Sequence, residues 1–323
     1  MPLPPRAEMT VLFAHAAYQL GAEFARRNTG IRALEARSLD EVAAQAADAH
    51  VMCMSGLWRD EHLAKAPNLK LVQSISAGIN NFGQDAIRAR GVRLASAQGA
   101  NAVAVAEHAM ALMLALNRLL PEARDHQAKA HWRGMIADPS VRERELAGQT
   151  LLIVGLGGIG MRLAGFAKAF GMRVIGTRSN PAKGGGVADA VYADAELLKA
   201  LPEADIVALT CPLTPATTGL INAQAIAAMK PGVTLINVAR GGVVDESAVI
   251  AALNSGQIGR AGLDVTVDEP LPMSSPLWAM PQVLITPHSA GETQAYEARI
   301  VDLLLENLGR LERGETSLRN QVV

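Results

Sequence analysis

The sequence predicts an α/β protein of two doubly wound parallel-sheet domains, and three observations predict it. Short apolar runs alternate with amphipathic stretches in two separate series, the pattern of parallel sheets covered on both faces. The run Leu151-Leu152-Ile153-Val154 passes at once into Gly155-Leu156-Gly157-Gly158-Ile159-Gly160 and then into an amphipathic stretch over 161–168. A chain of 323 residues is long for one such sheet and comfortable for two domains, each burying its own core.

The first series runs from Met9 to about Ser96. It pairs a strand at Val11-Leu12-Phe13 with a helix over 18–27, Val51-Met52-Cys53-Met54 with a helix over 61–66, and Leu69-Lys70-Leu71-Val72 with a helix over 84–90. The second starts near Thr150, continues through Met172-Arg173-Val174-Ile175-Gly176, and adds strands over 206–209, 234–238, 261–264 and 283–286. Between them a helix over about 102–120 is long enough to run from one domain to the other. A last amphipathic helix over about 292–313 has its natural place back on the first domain, which makes that domain discontinuous. A crevice between two such domains is where a cofactor and a small substrate would meet.

Composition narrows the function. Half of the residues are apolar but only three Trp, three Tyr and five Phe occur, so the cores are aliphatic and alanine-rich. With 30 basic and 31 acidic residues the net charge is −1, which gives no electrostatic case for nucleic acid or an anionic membrane. Cys53 and Cys211 are the only thiols, and their places at the ends of apolar runs predict buried, reduced cysteines; no metal-ligand spacing occurs. The start, Met1-Pro2-Leu3-Pro4-Pro5-Arg6, has no apolar leader core, and the most apolar helix carries Glu107, His108 and Arg118. The expectation is a soluble, cytoplasmic protein acting on small molecules.

The glycine turn has a chemical reading. Gly155 permits the tight bend, Gly157 lets the backbone approach a pyrophosphate, and Gly160 lets helix pack on strand, while free amides at the helix start face the anion. Dinucleotide binding by a Rossmann unit is the first hypothesis. About 20 residues beyond Gly155, where an acid would bind the ribose hydroxyls of NAD, the chain reads Thr177-Arg178-Ser179-Asn180, followed by Lys183. A guanidinium there pairs with a 2′-phosphate and has no special use for a bare hydroxyl. The expected cofactor is therefore NADP(H) in preference to NAD(H), the alternative being a solvated arginine in a glycine-rich loop over 181–186.

Three further segments follow strands of the second series, at the carboxyl edge where such sheets bind ligands. They are Asn237-Val238-Ala239-Arg240-Gly241-Gly242-Val243-Val244-Asp245, Gly262-Leu263-Asp264-Val265-Thr266-Val267-Asp268-Glu269-Pro270-Leu271-Pro272, and Thr286-Pro287-His288-Ser289-Ala290-Gly291. With the glycine turn, and in this order, these motifs resemble the D-isomer-specific 2-hydroxyacid dehydrogenases, a family that includes glyoxylate/hydroxypyruvate reductases and phosphoglycerate dehydrogenases. The resemblance implies a discontinuous, flavodoxin-like substrate domain over 1–99 and 292–323 and a Rossmann cofactor domain over 100–291. It matches the family's arginine to Arg240, its glutamate to Glu269, its histidine to His288, and the aspartate near the nicotinamide carboxamide to Asp264. Further cofactor contacts are implied at Val105, Gly158, Ile159, Ser179, Cys211, Pro212, Val238, Ala239, His288 and Gly291.

Each catalytic assignment has a chemical reason. Reduction of a 2-keto acid builds negative charge on the keto oxygen, which must receive a proton. His288 is the candidate donor, since an imidazole of ordinary pKa about 6.5 exists in either protonation state near neutrality. Glu269 beside it would favour the imidazolium and orient the ring. Arg240 would hold the substrate carboxylate and polarise the carbonyl. By resemblance, backbone amides of Ser76-Ala77-Gly78 also receive that carboxylate; the family's Asp soon after this glycine is replaced by Asn80-Asn81, which removes local negative charge.

Trp58, after Ser55-Gly56-Leu57, is expected in the loop facing the 2-substituent, where its ring would either narrow the pocket or close over an apolar group. Trp132 and His131 are read either as lining the substrate mouth or as structural, and Asp264 and Asp268 compete with a reading as solvated loop carboxylates. The family resemblance implies a homodimer, with the 102–120 helix as contact surface. The expected function is reduction of a small 2-keto acid such as glyoxylate or hydroxypyruvate to the D-2-hydroxy acid. The rivals are a non-catalytic NAD(P)H-sensing regulator on the same scaffold and a formate-dehydrogenase-like enzyme.

Overall fold

The computed structural model describes residues 3–323, so Met1 and Pro2, the start of the segment read for a leader, lie outside the described residues. The chain divides into two compact units, Met1–Asn101 with Thr293–Val323, and Ala102–Glu292.

Among the described residues the first unit holds five strands, β1 (Thr10–Ala14), β2 (Arg32–Ala36), β3 (Val51–Met54), β4 (Leu71–Gln73) and β5 (Arg93–Ala95), all parallel in the order β2-β1-β3-β4-β5. Every residue of β1, β3 and β4 is buried, as a central parallel strand requires when helices cover both faces. One face packs Val11, Phe13, Val51 and Cys53 against Ile300, Val301, Leu304 and Leu308 of the C-terminal helix, Tyr296–Glu312. That helix is tied to β4 where Asn307 Nδ2 donates to Gln73 Oε1 at 2.8 Å, and its first residue, Tyr296, donates its hydroxyl to the Ile75 carbonyl. The other face packs Leu12, Met52 and Val72 against Val42, Leu63 and Ile87.

The second unit holds seven parallel strands, β6 (Thr150–Val154), β7 (Arg173–Arg178), β8 (Ala190–Ala193), β9 (Ile206–Leu209), β10 (Val233–Asn237), β11 (Ile258–Leu263) and β12 (Val283–Ile285), in the order β12-β11-β10-β9-β6-β7-β8. The order reverses at β6 and β9, which pair from Leu151 opposite Ile206 to Val154 opposite Leu209. That reversal is the topological switch point at which open α/β sheets bind ligands. The two faces carry separate apolar clusters.

Several expectations change here. The helix expected over 102–120 is two: Ala102–Asn117 ends before Leu119, whose φ of 53° is left-handed, and Leu120–Ala128 starts anew with Pro121 in its first turn. A proline pre-set for a helix start cannot continue one already running. One face of the 102–117 helix, with Val105, Ala106, Ala109, Leu112, Met113 and Leu116, lies in the core of this unit, which leaves the side bearing the exposed Glu107 and Ala111 for a contact. Exposed apolar side chains follow it: the Leu120–Ala128 helix buries none of its residues, and Trp132 and Met135 are 97 % and 96 % exposed. Strands β2, β5 and β8, absent from the sequence reading, are all sheet-edge strands, with β5 bridged to the C-terminal tail at Ala95 and Gln321. Among the described residues no single helix is long and apolar enough to cross a membrane.

Candidate active site

The glycine turn lies between β6 and the helix Gly158–Ala169. Gly155 has a φ of 100°, and a Cβ there would sit 2.8 Å from Cys211 Cα; both conformation and space exclude a side chain. A Cβ at Gly160 would meet the Gly155 carbonyl at 2.4 Å, so this glycine sets the helix–strand approach, whereas Cβ atoms at Gly157 and Gly158 would meet nothing within 4 Å. The first hydrogen bond entering the helix is Met161 N to Gly157 O at 2.9 Å. The amides of Gly158, Ile159 and Gly160 have no carbonyl partner among the described residues, which leaves donors at the positive end of a twelve-residue helix. Open space above two glycines beside free amides fits a pyrophosphate.

A cavity of about 880 Å³ opens from this turn and gathers Gly155, Gly157, Arg178, Ser179, Cys211 and Pro212 from the predicted set. Lys183, Thr210, Thr214, Thr217 and Leu220 join them, with Asp194 as a carboxylate in the same wall. The sequence reading missed these except for Lys183; the signal available was their position just after β8 and β9. Arg178 is the last residue of β7, and its guanidinium donates to the Gly184 carbonyl at 2.5 Å, so it is held at the cavity rim by the glycine-rich loop. Burial pushes the Cys211 thiol up to about 11, which makes it an unreactive wall; Cys53 is fully buried in the other unit. Val105, Gly158, Ile159, Gly160, Val238, Ala239, Asp264, His288 and Gly291 do not line this cavity. Val105, Val238 and Ala239 are buried in the apolar clusters, Gly158, Ile159 and Gly160 open the helix that follows the glycine turn, and Asp264, His288 and Gly291 follow β11 and β12.

The other predicted residues follow three consecutive strands. After β10, Asn237 folds the turn that carries Arg240: its Oδ1 accepts from Ala239 N at 3.0 Å and its Nδ2 donates to the Arg240 carbonyl at 3.2 Å. The Arg240 side chain is exposed, with Nη1 donating to the Ala239 carbonyl at 2.6 Å. Asp245, at the end of this motif, caps the helix Glu246–Ser255; hydrogen bonds from Ser247 and the Ala248 amide hold its carboxyl below the usual range. After β11 comes the loop that carries Glu269, whose Oε1 accepts from Thr266 N at 3.2 Å. After β12, His288 Nδ1 lies 2.7 Å from Glu269 Oε2. Both side chains of this pair are exposed by more than a third, so it adds at most about 1 kcal/mol to stability; what it fixes is the ring, leaving Nε2 for a ligand.

The loops bearing Arg240 and Glu269 touch through backbone. A Cβ at Gly241 would fall 1.9 Å from Thr266 O and 2.4 Å from Val267 N, so only glycine lets the two chains pass. Glu246 adds a second tie, its Oε2 accepting from Val267 N at 3.1 Å.

Asp264 is not a solvated loop carboxylate. It is 2 % exposed and its oxygens accept from Thr286 Oγ1 at 2.6 Å, Ser289 N at 2.9 Å and Ala290 N at 3.1 Å. Asp268 is the exposed one.

Trp58, in the first unit, does not stand open in a loop. It is 1 % exposed, packs against Phe82 at a tilt with centroids 5.4 Å apart, and donates its indole N–H to Asp60 Oδ1 at 2.9 Å; an indole hydrophobic enough to complete a small core, with a carboxylate for its N–H, packs inward. In the Ser76-Ala77-Gly78 segment after β4, the Ser76 amide already donates to Ser74 Oγ at 3.0 Å. The Ala77 and Gly78 amides have no partner among the described residues.

The profile of the D-isomer specific 2-hydroxyacid dehydrogenase NAD binding domain matches residues 110–290, and the chain belongs to that family. A D-3-phosphoglycerate dehydrogenase of Mycobacterium leprae is 41 % identical over 243 residues, which are 74 % of this chain and 44 % of that protein; the chain spans less than half of that relative. A glyoxylate/hydroxypyruvate reductase B of Escherichia fergusonii is 39 % identical over 251 residues, 77 % of this chain and 76 % of that one. Among solved structures, a D-isomer specific 2-hydroxyacid dehydrogenase from Xanthobacter autotrophicus in complex with NADPH and MES has TM-score 0.80 and 31 % identity, covering 97 % of this chain and 98 % of its own.

Proposed function

We propose that this protein is an NADP(H)-preferring oxidoreductase that reduces a small 2-keto acid, of the glyoxylate or hydroxypyruvate type, to the D-2-hydroxy acid. The observation that carries the reading is the 2.7 Å pairing of His288 Nδ1 with Glu269 Oε2 on the same sheet edge as the glycine turn. When bound, the nicotinamide supplies the hydride. The residues of the chain do the rest. His288 holds a proton at Nε2 and gives it to the keto oxygen as charge develops there. Glu269 stabilises the imidazolium and keeps Nδ1 turned toward itself. Arg240, exposed and tied only to its own turn, swings to the substrate carboxylate and polarises the carbonyl.

The NADP preference is supported by Arg178 and Lys183 in a cavity wall that holds one carboxylate, Asp194, and by the NADPH complex of the Xanthobacter relative. On the resemblance, the amides of Ala77 and Gly78 serve a carboxylate. A homodimer is proposed on the exposed Trp132 and Met135 and the helix beside them that buries nothing; light scattering on the eluting protein measures it.

The test is a panel of 2-keto acids assayed by loss of nicotinamide absorbance with NADPH and with NADH, together with D-3-phosphoglycerate in the oxidative direction, which the Mycobacterium relative's name requires. Turnover of glyoxylate or hydroxypyruvate with NADPH supports the reading. Cofactor binding without turnover of any acid leaves the sensor; turnover of phosphoglycerate alone, or of formate, replaces the substrate class.

A further inference from the structure

His288 is a non-glycine residue with a φ of 53°, a left-handed backbone that persists only where its surroundings over-determine it. Asp264 does this. Its carbonyl accepts from His288 N at 2.8 Å, and its carboxylate accepts from Ser289 N and Ala290 N. Three consecutive amides of the turn therefore converge on one residue.

The carboxylate is in turn held from the helix Ala102–Asn117. Thr286 Oγ1 lies 2.6 Å from Asp264 Oδ1, and His108 Nε2 lies 2.9 Å from Thr286 Oγ1 and 3.6 Å from Asp264 Oδ1. A threonine hydroxyl has one proton, and the carboxylate takes it. His108 Nε2 must then carry a hydrogen and donate. The direction of the chain is fixed: His108 Nε2–H to Thr286 Oγ, Thr286 Oγ–H to Asp264, and Asp264 receiving the turn of His288. His108 is also the sole imidazole or cation within 4 Å of the buried Asp264 carboxylate among the described residues.

We infer that His108 is a positioning residue: through Thr286 and Asp264 it sets the left-handed turn that aims His288. The inference rests on His288 being the proton donor proposed above, since only then does its aim bear on turnover.

The test uses the whole protein and has two readouts. Hydrogen–deuterium exchange, without cofactor, follows the amides of 288–290; steady-state kinetics follow kcat and the KM for cofactor. In His108→Ala these amides exchange at least about tenfold faster and kcat falls roughly tenfold to a hundredfold, as for a misplacement near 1 Å, with the cofactor KM within about twofold. His108→Gln, which returns an N–H donor at the reach of Nε2, restores both. Thr286→Val gives the same losses, Thr286→Ser restores them, and the double variant His108→Ala/Thr286→Val is no worse than either single one, because one chain is cut twice.

Unchanged exchange at 288–290 in His108→Ala, failure of His108→Gln to restore it, or additive losses in the double variant would overturn the inference. The exchange measurement reads the turn even if no keto acid is reduced, so a wild-type protein without turnover defeats the functional reading and leaves this one to be decided by exchange alone.

Discussion

Gly241→Ala tests the link between the two loops that carry the arginine and the glutamate. The added Cβ would fall 1.9 Å from Thr266 O and 2.0 Å from its carbonyl carbon, where side-chain carbons in proteins keep at least about 3 Å. These are backbone atoms, so no rotamer relieves the clash and the loops must part by about 1 Å or more. The φ of Gly241 is not left-handed, so alanine carries no conformational strain and the effect isolates the contact. Overpacking of this kind costs about 1–3 kcal/mol, which lowers Tm by roughly 2–12 °C in a unit of this size. Displacing Arg240 from Glu269 by that distance costs about 10²-fold in kcat. Gly242→Ala is the control, because its Cβ meets only the flexible end of Leu213, at 3.3 Å, and it is expected to leave both quantities nearly unchanged. Paired denaturation curves and kcat/KM measurements decide. A Gly241→Ala protein with wild-type turnover and an unchanged Tm refutes the reasoning.

The proposed cofactor preference rests on Arg178. A charge-assisted contact is worth about 1.5–3 kcal/mol, so Arg178→Asp is expected to lower the NADPH-to-NADH ratio of kcat/KM by one to two decades or more; an unchanged ratio removes Arg178 from 2′-phosphate recognition. Acid stability follows from His15, His50 and His62, each of which accepts a backbone N–H at Nδ1, and burial lowers all three from the usual histidine value. Below about pH 6.5 the unfolded chain takes up protons that the folded chain resists, so stability is full above that pH and declines as pH falls through the lowered values. The denaturation midpoint at pH 5 should therefore lie below that at pH 7.5, and His62→Asn, which keeps an acceptor in place of Nδ1, should narrow the gap. An identical gap in that variant would show that His62, 1 % exposed, is not a source of it.

The sheet and the glycine turn were legible because local sequence determines them: apolar runs at 51–54 and 206–209 coincide with β3 and β9, and no other residue permits the backbone of Gly155. Strand β2 was not legible, since Arg32-Ala33-Leu34-Glu35-Ala36 is an edge strand largely open to solvent and has neither an apolar run nor β-branched residues. The Leu119 break hid behind a continuous apolar pattern, although Pro121 marked it. In the site, Arg240, Glu269 and His288 were readable as motifs at strand ends. What these residues touch was not. The burial of Asp264 and of Trp58, the donor already spent at Ser76, and the reach of His108 to Thr286 across 178 positions depend on which loops the fold brings together, and no local pattern records that.

In the proposed mechanism His288 delivers the proton from Nε2 while Glu269 holds its other nitrogen. The direct measurement is kcat of His288→Ala beside the wild type, with NADPH and hydroxypyruvate, and NADPH affinity followed separately by fluorescence. A fall of about 10²–10⁴ in kcat is expected with NADPH binding retained; a variant that binds NADPH and turns over at a near wild-type rate contradicts the role of His288.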